Sequence, residues 1–430
     1  MIKEQKIFFL RNSFIYLFSN ILNASVPFVL LPLFSHYFST DDYGRIAMFQ
    51  ILIIGLNGII GLNTVGAASR HFFENDNKHT LTNYNSSSFF VLYFSVFLIL
   101  SICLLFSNVI VDFLSIPKSW VFLAVFCSFG TFIIQFKLVQ LQIRKKALNY
   151  GLLQVSNSII NLSLTILFIV FMNYGVEGRV WAVCISTLFY AVFCFCSLKR
   201  EKLLNFQLTK LNFVKDNLSF GLPLVPHVLG MFFLSSVDRF IINKKFGLSD
   251  AGIYMMAFQI SLGLILVYDS INKAFVPFLF STLKKNNYAD KRKIVSYSYF
   301  LFLFCIFIGV LSFFISPYIL NFVSNEKYIL AASFIGLLCI GQSFQGLYLI
   351  VTNYIFYVKK TYLLSLITII SGGINIVLIF CLIEKYHLLG VSFSFCVSMM
   401  LRFILTWCLS QYVYPMPWNL VSKKKRCDNV

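Results

Sequence analysis

The stretch Gly221–Ile260, GLPLVPHVLGMFFLSSVDRFIINKKFGLSDAGIYMMAFQI, decides the fold. It opens as an apolar run holding Pro223, Pro226 and His227, and the adjacent pair Asp238–Arg239 closes it. A short break with Lys244, Lys245 and Asp250 follows, then Gly252 and a second apolar run. In hydrocarbon a proline is tolerated where neighbouring groups satisfy the carbonyl it frees. An ionised side chain survives there only with a partner or water. The stretch therefore reads as a membrane-spanning helix that faces something polar, with another helix behind it.

Composition extends that reading to the whole chain. Its 430 residues are 59% hydrophobic and only 12% charged, with a mean hydropathy of +0.81; soluble domains carry roughly 25% charge. Apolar runs fall at 13–35, 46–67, 89–111, 120–142, 152–173, 179–198, 219–243, 252–272, 295–316, 329–352, 362–383 and 389–412. Each is close to the ~20 residues a helix needs to cross a bilayer. The expected fold class is an all-α polytopic membrane protein of about twelve transmembrane helices.

The net charge of +19 would suggest nucleic acid in a soluble protein. Here the charges sit in short breaks, where they set orientation instead. Alternate breaks carry 26 of the 35 Lys and Arg, including Lys3, Lys6 and Arg11 at the start and Lys423–Arg426 at the end. The opposite breaks carry 7, among them Arg179. That bias puts both termini in the cytoplasm and supports an even helix count. The first apolar run has no small-residue cleavage site, so it is read as a retained helix. Most of the 11 cysteines lie inside apolar runs without a ligand spacing, so neither a disulfide framework nor a metal is expected.

The basic segment 199–217 divides the chain into an N-terminal six-helix bundle, 1–198, and a C-terminal one with a basic tail, 218–430. Thr40-Asp41-Asp42-Tyr43-Gly44 matches Ser249-Asp250-Ala251-Gly252, and Phe49-Gln50-Ile51 matches Phe258-Gln259-Ile260. Lys145-Lys146 and Asn161 match Lys359-Lys360 and Asn375. Six is even, so the two copies are expected to run parallel.

Prolines in the first and seventh helices, Asp238–Arg239 late in the seventh, and a following break ending in Gly252 with an aromatic beyond it form a pattern. It resembles the bacterial polysaccharide flippases of the Wzx type, in the multidrug/oligosaccharidyl-lipid/polysaccharide exporter superfamily. The resemblance implies two six-helix bundles forming a V, as in MATE transporters. It implies translocation of undecaprenyl-diphosphate-linked O-antigen units, or related surface polysaccharide repeats, between leaflets. Polymerase and chain-length proteins of that pathway are the partners it suggests, beside membrane lipids.

A lipid-linked glycan needs a wet cavity with cations for phosphate and amides for sugar, because a bare charged head in hydrocarbon costs on the order of tens of kcal/mol. Arg402, Arg70, Arg239 and Arg11 are the candidate cavity cations, since a guanidinium fork bonds two oxygens at once. Polar residues at helical spacing supply the expected lining: Asn20, Asn23, Gln154, Asn157, Asn161, His227, Gln342 and Gln345. The same residues would otherwise bond helix to helix. Asp269 and Asp238 are candidates for ion coupling or for pairing an arginine. No GxxxxGK[ST] phosphate loop or catalytic cluster occurs, so an enzyme is not expected and any uphill work would draw on a proton or sodium gradient. The alternative reading is a cation-coupled multidrug exporter of the same superfamily, which would want buried carboxylates. A membrane glycan polymerase would want a large outer loop, and the breaks here are short.

Overall fold

A computed structural model describes residues 2–74, 78–206, 211–284, 287–358, 360 and 362–419. The described residues are helical and contain no strand. In order they form α1 (Ile2–Tyr37), α2 (Thr40–Ile59), α3 (Thr64–Glu74), α4 (Lys78–Leu105), α5 (Ser107–Leu114), α6 (Lys118–Ile143), α7 (Ala147–Ile166) and α8 (Gly175–Arg200). Then come α9 (Leu211–Gly221), α10 (Val225–Ser235), α11 (Val237–Phe246), α12 (Leu248–Ser261), α13 (Gly263–Leu283), α14 (Tyr288–Val323), α15 (Ile335–Val358) and α16 (Tyr362–Val413).

Among the described residues, 11 continuous helical stretches are long and apolar enough to cross a membrane. The last, α16, has 52 residues and breaks at His387, whose φ of 48° and ψ of −135° are non-helical. A Cβ on Gly390 would stand 2.7 Å from the carbonyl oxygen of Leu382, eight residues earlier. In a continuous helix those levels would be ~12 Å apart. The break makes two passes of α16 and brings the count to the expected twelve.

The seventh pass departs from expectation. The sequence reads as one helix over 219–243. The structure instead has α9, a 3-10 turn at Leu222–Leu224, α10 and α11. Pro223 and Pro226 sit in first turns, where the missing N–H is no loss. A second break falls at Ser236, with φ −141° and ψ −29°. Asp238 and Arg239 therefore open a new helix rather than ending an old one.

By packing the chain forms two compact units. One comprises Met1–Gln259 with Asn321–Ala331, the other Ile260–Leu320 with Ala332–Val430. In the first, α1 packs on α7, α6 on α8 and α2, and α4 on α9. The Ser39 hydroxyl accepts from the Asp42 amide while the Asp42 carboxylate accepts from that of Ser39, a reciprocal cap that fixes the start of α2. The α2 start meets the α12 start closely: a Cβ on Gly44 would stand 2.0 Å from the Leu248 carbonyl oxygen, and one on Gly252 2.0 Å from that of Thr40. Only glycine lets the two backbones touch there. The segment Asn321–Ala331 docks on the same region, with Ser35 donating to the Val323 carbonyl at 3.1 Å and Asn325 donating to that of Ser35 at 3.1 Å.

The second unit is built on α15, packed against α13 and α16. Its core includes Tyr268, Phe302, Leu347, Val351, Tyr354 and Phe403. Buried hydroxyls pair across helices, Tyr268 with Ser343 at 2.8 Å and Ser298 with Tyr354 at 2.9 Å. In contrast, Phe300, Leu303, Phe307, Phe314 and Phe322 on α14 are exposed, as side chains facing lipid should be.

Candidate functional site

The helix α8 begins at Gly175, earlier than the sequence suggested, so Arg179 lies on its second turn rather than in a loop. Facing it on α7 are Asn161 and Thr165, four residues apart and hence on one side. Arg179 donates from Nη1 to Asn161 Oδ1 at 2.8 Å and to Thr165 Oγ1 at 2.7 Å. Asn161 is itself fixed, donating from Nδ2 to Ser186 Oγ at 2.9 Å. The guanidinium also lies over the Phe34 ring, 5.5 Å from its centroid.

Both Nη1 hydrogens are thus used. The Arg179 Nε is sealed from solvent and has no hydrogen-bond acceptor among the described residues. Nη2 has none either, and no carboxylate there lies within ion-pair reach of Arg179. A guanidinium keeps its charge at any ordinary pH. Amide and hydroxyl oxygens offset only part of the cost of taking that charge out of water.

Arg179 lines a cavity of about 340 Å³ inside the first unit. Its walls come from α1 (Pro27, Phe34), α2 (Tyr43, Ile46, Phe49, Gln50, Ile53, Ile54), α8 (Arg179, Val180, Val183) and α12 (Gln259). Three aromatic rings, two amides and one cation are therefore set among branched aliphatic side chains. Gln50 and Gln259 are the residues that the two copies of the internal repeat place in register, and here they line one chamber.

The residues expected from sequence lie elsewhere. Asn20 accepts from Tyr150 at 3.1 Å and Asn23 from Ser158 at 2.6 Å, bonding α1 to α7. Gln154 and Asn157 are half-buried on α7, and His227 is half-buried on α10. Gln342 donates to Ser261 at 3.4 Å. Of the polar set, Asn161 comes nearest the cavity, as the support behind Arg179.

Among the expected cations, Arg402 is 1% exposed, stacks 3.8 Å from the Tyr348 ring centroid and donates to Gln345 at 2.8 Å. Arg70 pairs with Asp216 at 3.2 Å and Glu74 at 3.4 Å and covers the Phe220 ring. Arg239 is buried, pairs with Asp238 at 3.3 Å and lies 4.2 Å from the Phe258 ring centroid. Neighbours on a regular helix point about 100° apart, so Asp238 and Arg239 need not pair with each other. They meet because Asp238 sits in the first turn after the Ser236 break, where its carboxylate turns back to accept from the Arg239 amide at 2.8 Å. Asp269 pairs with Lys273 at 2.5 Å, one turn along its own helix, rather than with an arginine. The side chain of Arg11 lies outside the described residues. Among those residues no group of three or more His, Cys, Asp or Glu could hold a metal.

Sequence reasoning missed Arg179 because it counted the residue as a loop charge. The usable signal was the polar stripe of the fifth span: Asn161 and Thr165 need a donor, and the next helix begins with an arginine.

The helical passes of the described residues take a fold found in solved membrane proteins. A multidrug resistance MATE family transporter of the MOP superfamily, in an inward-facing conformation, superimposes with a TM-score of 0.71 over 90% of this chain and 94% of that one, at 17% identity. The lipid II flippase MurJ, in an inward closed conformation, gives 0.74 over 94% of this chain and 87% of that one, at 16% identity. The chain belongs to the polysaccharide biosynthesis protein family, whose profile matches residues 9–283. It is also 25% identical over 367 residues to protein 1 of the Lsg locus of Haemophilus influenzae, covering 84% of this chain and 88% of the relative. A second membrane protein of that organism is 28% identical over 367 residues, covering 84% and 87%.

Proposed function

We propose that this protein is a flippase that moves a lipid-linked oligosaccharide from the inner to the outer leaflet of the bacterial cytoplasmic membrane by alternating access. The cargo on this reading is an undecaprenyl-diphosphate-linked O-antigen or related surface polysaccharide unit. The moving parts are two parallel six-helix halves, 1–198 and 218–430, joined by 199–217, with both termini cytoplasmic. The observation that carries the reading is Arg179, a cation without a carboxylate partner among the described residues, set in a cavity of aromatic rings and amides. That combination suits an anionic glycan and would repel a cationic drug. Membership of the polysaccharide biosynthesis family supports the same reading, as does the fold shared with a structure named as a lipid II flippase. The protein acts on this reading as a transporter and not as an enzyme, and Arg402, Arg70, Arg239 and Arg11 remain proposed contacts for the diphosphate along its path.

The cation-coupled exporter is disfavoured by where the carboxylates sit: Asp238 is held by Arg239 and Asp269 by Lys273. The deciding experiment deletes the gene in a strain without a redundant flippase and locates the lipid-linked glycan by its accessibility to a membrane-impermeant lectin or glycosidase. Accumulation on the cytoplasmic face is the expected result. Normal surface glycan together with new drug sensitivity would replace this reading with the exporter.

A further inference from the structure

We propose that the Arg179 cavity is a subsite for one carboxylate-bearing sugar ring, so that the cargo is an acidic glycan. This rests on the flippase reading for its physiological setting, but the site and its ligand class are argued from the chamber itself. With Nη1 pinned to Asn161 and Thr165, the donors left over are Nε and Nη2. Nε is sealed from solvent, so Nη2 is the donor that a ligand in the chamber can reach, and it offers one charge-assisted hydrogen bond to a carboxylate oxygen.

Charge decides between a carboxylate and the diphosphate of a lipid headgroup. A diphosphate brings two or more negative charges, and Arg179 is the one charged residue among those lining the cavity. A second negative charge would be left facing Ile46, Ile53, Val180 and Val183, at a cost no group in the wall offsets. A single carboxylate balances the site.

The remaining wall reads a ring. A pyranose presents apolar C–H faces and hydroxyl edges. Phe34, Tyr43 and Phe49 supply flat apolar surfaces for the first. The amides of Gln50 and Gln259 each offer a donor and an acceptor for the second. A chamber of about 340 Å³ is at the small end of ligand sites, and holds roughly one or two sugar rings rather than a whole repeat unit.

The test uses the full chain in phosphatidylethanolamine–phosphatidylglycerol nanodiscs and saturation-transfer NMR with three probes: glucuronate, glucose and inorganic pyrophosphate. Glucuronate should saturate about tenfold more strongly than glucose, the difference one charge-assisted pair confers. R179Q should erase that preference and R179K should keep part of it. Because R179Q removes the pin between α7 and α8, the double variant Q50L/Q259L provides a second reading. It should fold, retain the preference for acid over neutral sugar, and bind both several-fold more weakly. Equal saturation by glucose and glucuronate, no saturation by either, or stronger Arg179-dependent binding of pyrophosphate would each overturn the proposal. A failed flippase reading would show instead in the cellular assay, with glucuronate still binding in nanodiscs.

Discussion

The side-chain hydroxyls of Thr40 and Ser249 lie 2.8 Å apart, bonding the start of α2 to the start of α12. These are the residues that head the two copies of the repeated motif. One turn further on, Gly44 and Gly252 bring the two backbones into contact, and two turns beyond that Gln50 and Gln259 share a cavity. The motif copies therefore face one another, and their match in sequence corresponds to a match in space.

That crossing should tolerate no side chain. G44A or G252A places a methyl group against a carbonyl oxygen of the opposing helix, and backbone cannot swing aside as a side chain can. A loss of about 1–3 kcal/mol is expected, as for overpacking elsewhere. The melting temperature of purified protein, followed by size-exclusion chromatography after heating, should drop by several degrees. G373A, where an added Cβ meets nothing within 4 Å, should leave it unchanged.

Acid should loosen the contact between Lys137 and Glu201. Lys137 is 3% exposed and donates to the Glu201 carboxylate at 2.5 Å. Burial alone would raise the Glu201 carboxyl, but the hydrogen bond and charge of Lys137, with Ser197 and Lys146, hold it below the ordinary glutamate value of 4.5. A group depressed in the folded state contributes stability that is complete above its unfolded value and is lost as pH falls through the folded one. The pair therefore supports the fold at neutral pH and fails progressively below pH 4.5. E201Q should lower the neutral-pH melting temperature, by an amount equivalent to ~1–3 kcal/mol given the partial exposure of Glu201. It should also flatten the acid limb of a melting profile recorded from pH 3 to 7.

How much of this could be read in advance varies by residue. The twelve passes were legible because each apolar run is long and each break is charged. The repeat was legible through glycines and glutamines that no apolar run demands. The breaks at Ser236 and His387 were not, since nothing local in Ser235-Ser236 or Tyr386-His387 forbids a helix and tertiary packing decides. The polar stripes were found, but a stripe shows only that a face wants partners. Whether Asn23 finds Ser158 or a ligand is set by the neighbouring helix. Arg179 was hidden by a boundary error of four residues.

Arg70 and Asp216 should behave as a structural couple. They meet at 3.2 Å, with the Tyr84 hydroxyl donating to the same carboxylate at 2.6 Å. Both are about two-fifths exposed, so R70A alone should cost no more than ~1 kcal/mol. If the role is pairing, the reversed pair R70D/D216R restores surface-glycan export lost in either single reversal. Export that stays absent in the double variant returns Arg70 to the path of the diphosphate.

Arg402 should depend on the face of Tyr348 more than on its hydroxyl. The guanidinium stacks on the ring while Gln345 takes one Nη1 hydrogen. Y348F keeps the ring and should retain export and thermal stability close to wild type. Y348L loses the π face, worth ~2 kcal/mol when desolvated, and should lower both. R402A should abolish export while the protein still inserts, and R402K should keep a fraction, measured as surface glycan per unit of membrane-inserted protein.

The reversal at His387 leaves the last two passes with no loop between them. Proteases, antibodies and fused reporters that chart which side of a membrane a segment lies on need an accessible run of chain to grip, and a single-residue hinge offers none. A chart drawn with such tools would find the same compartment on both flanks of the final hairpin, record no crossing between them, and fall two passes short of the helices that are there.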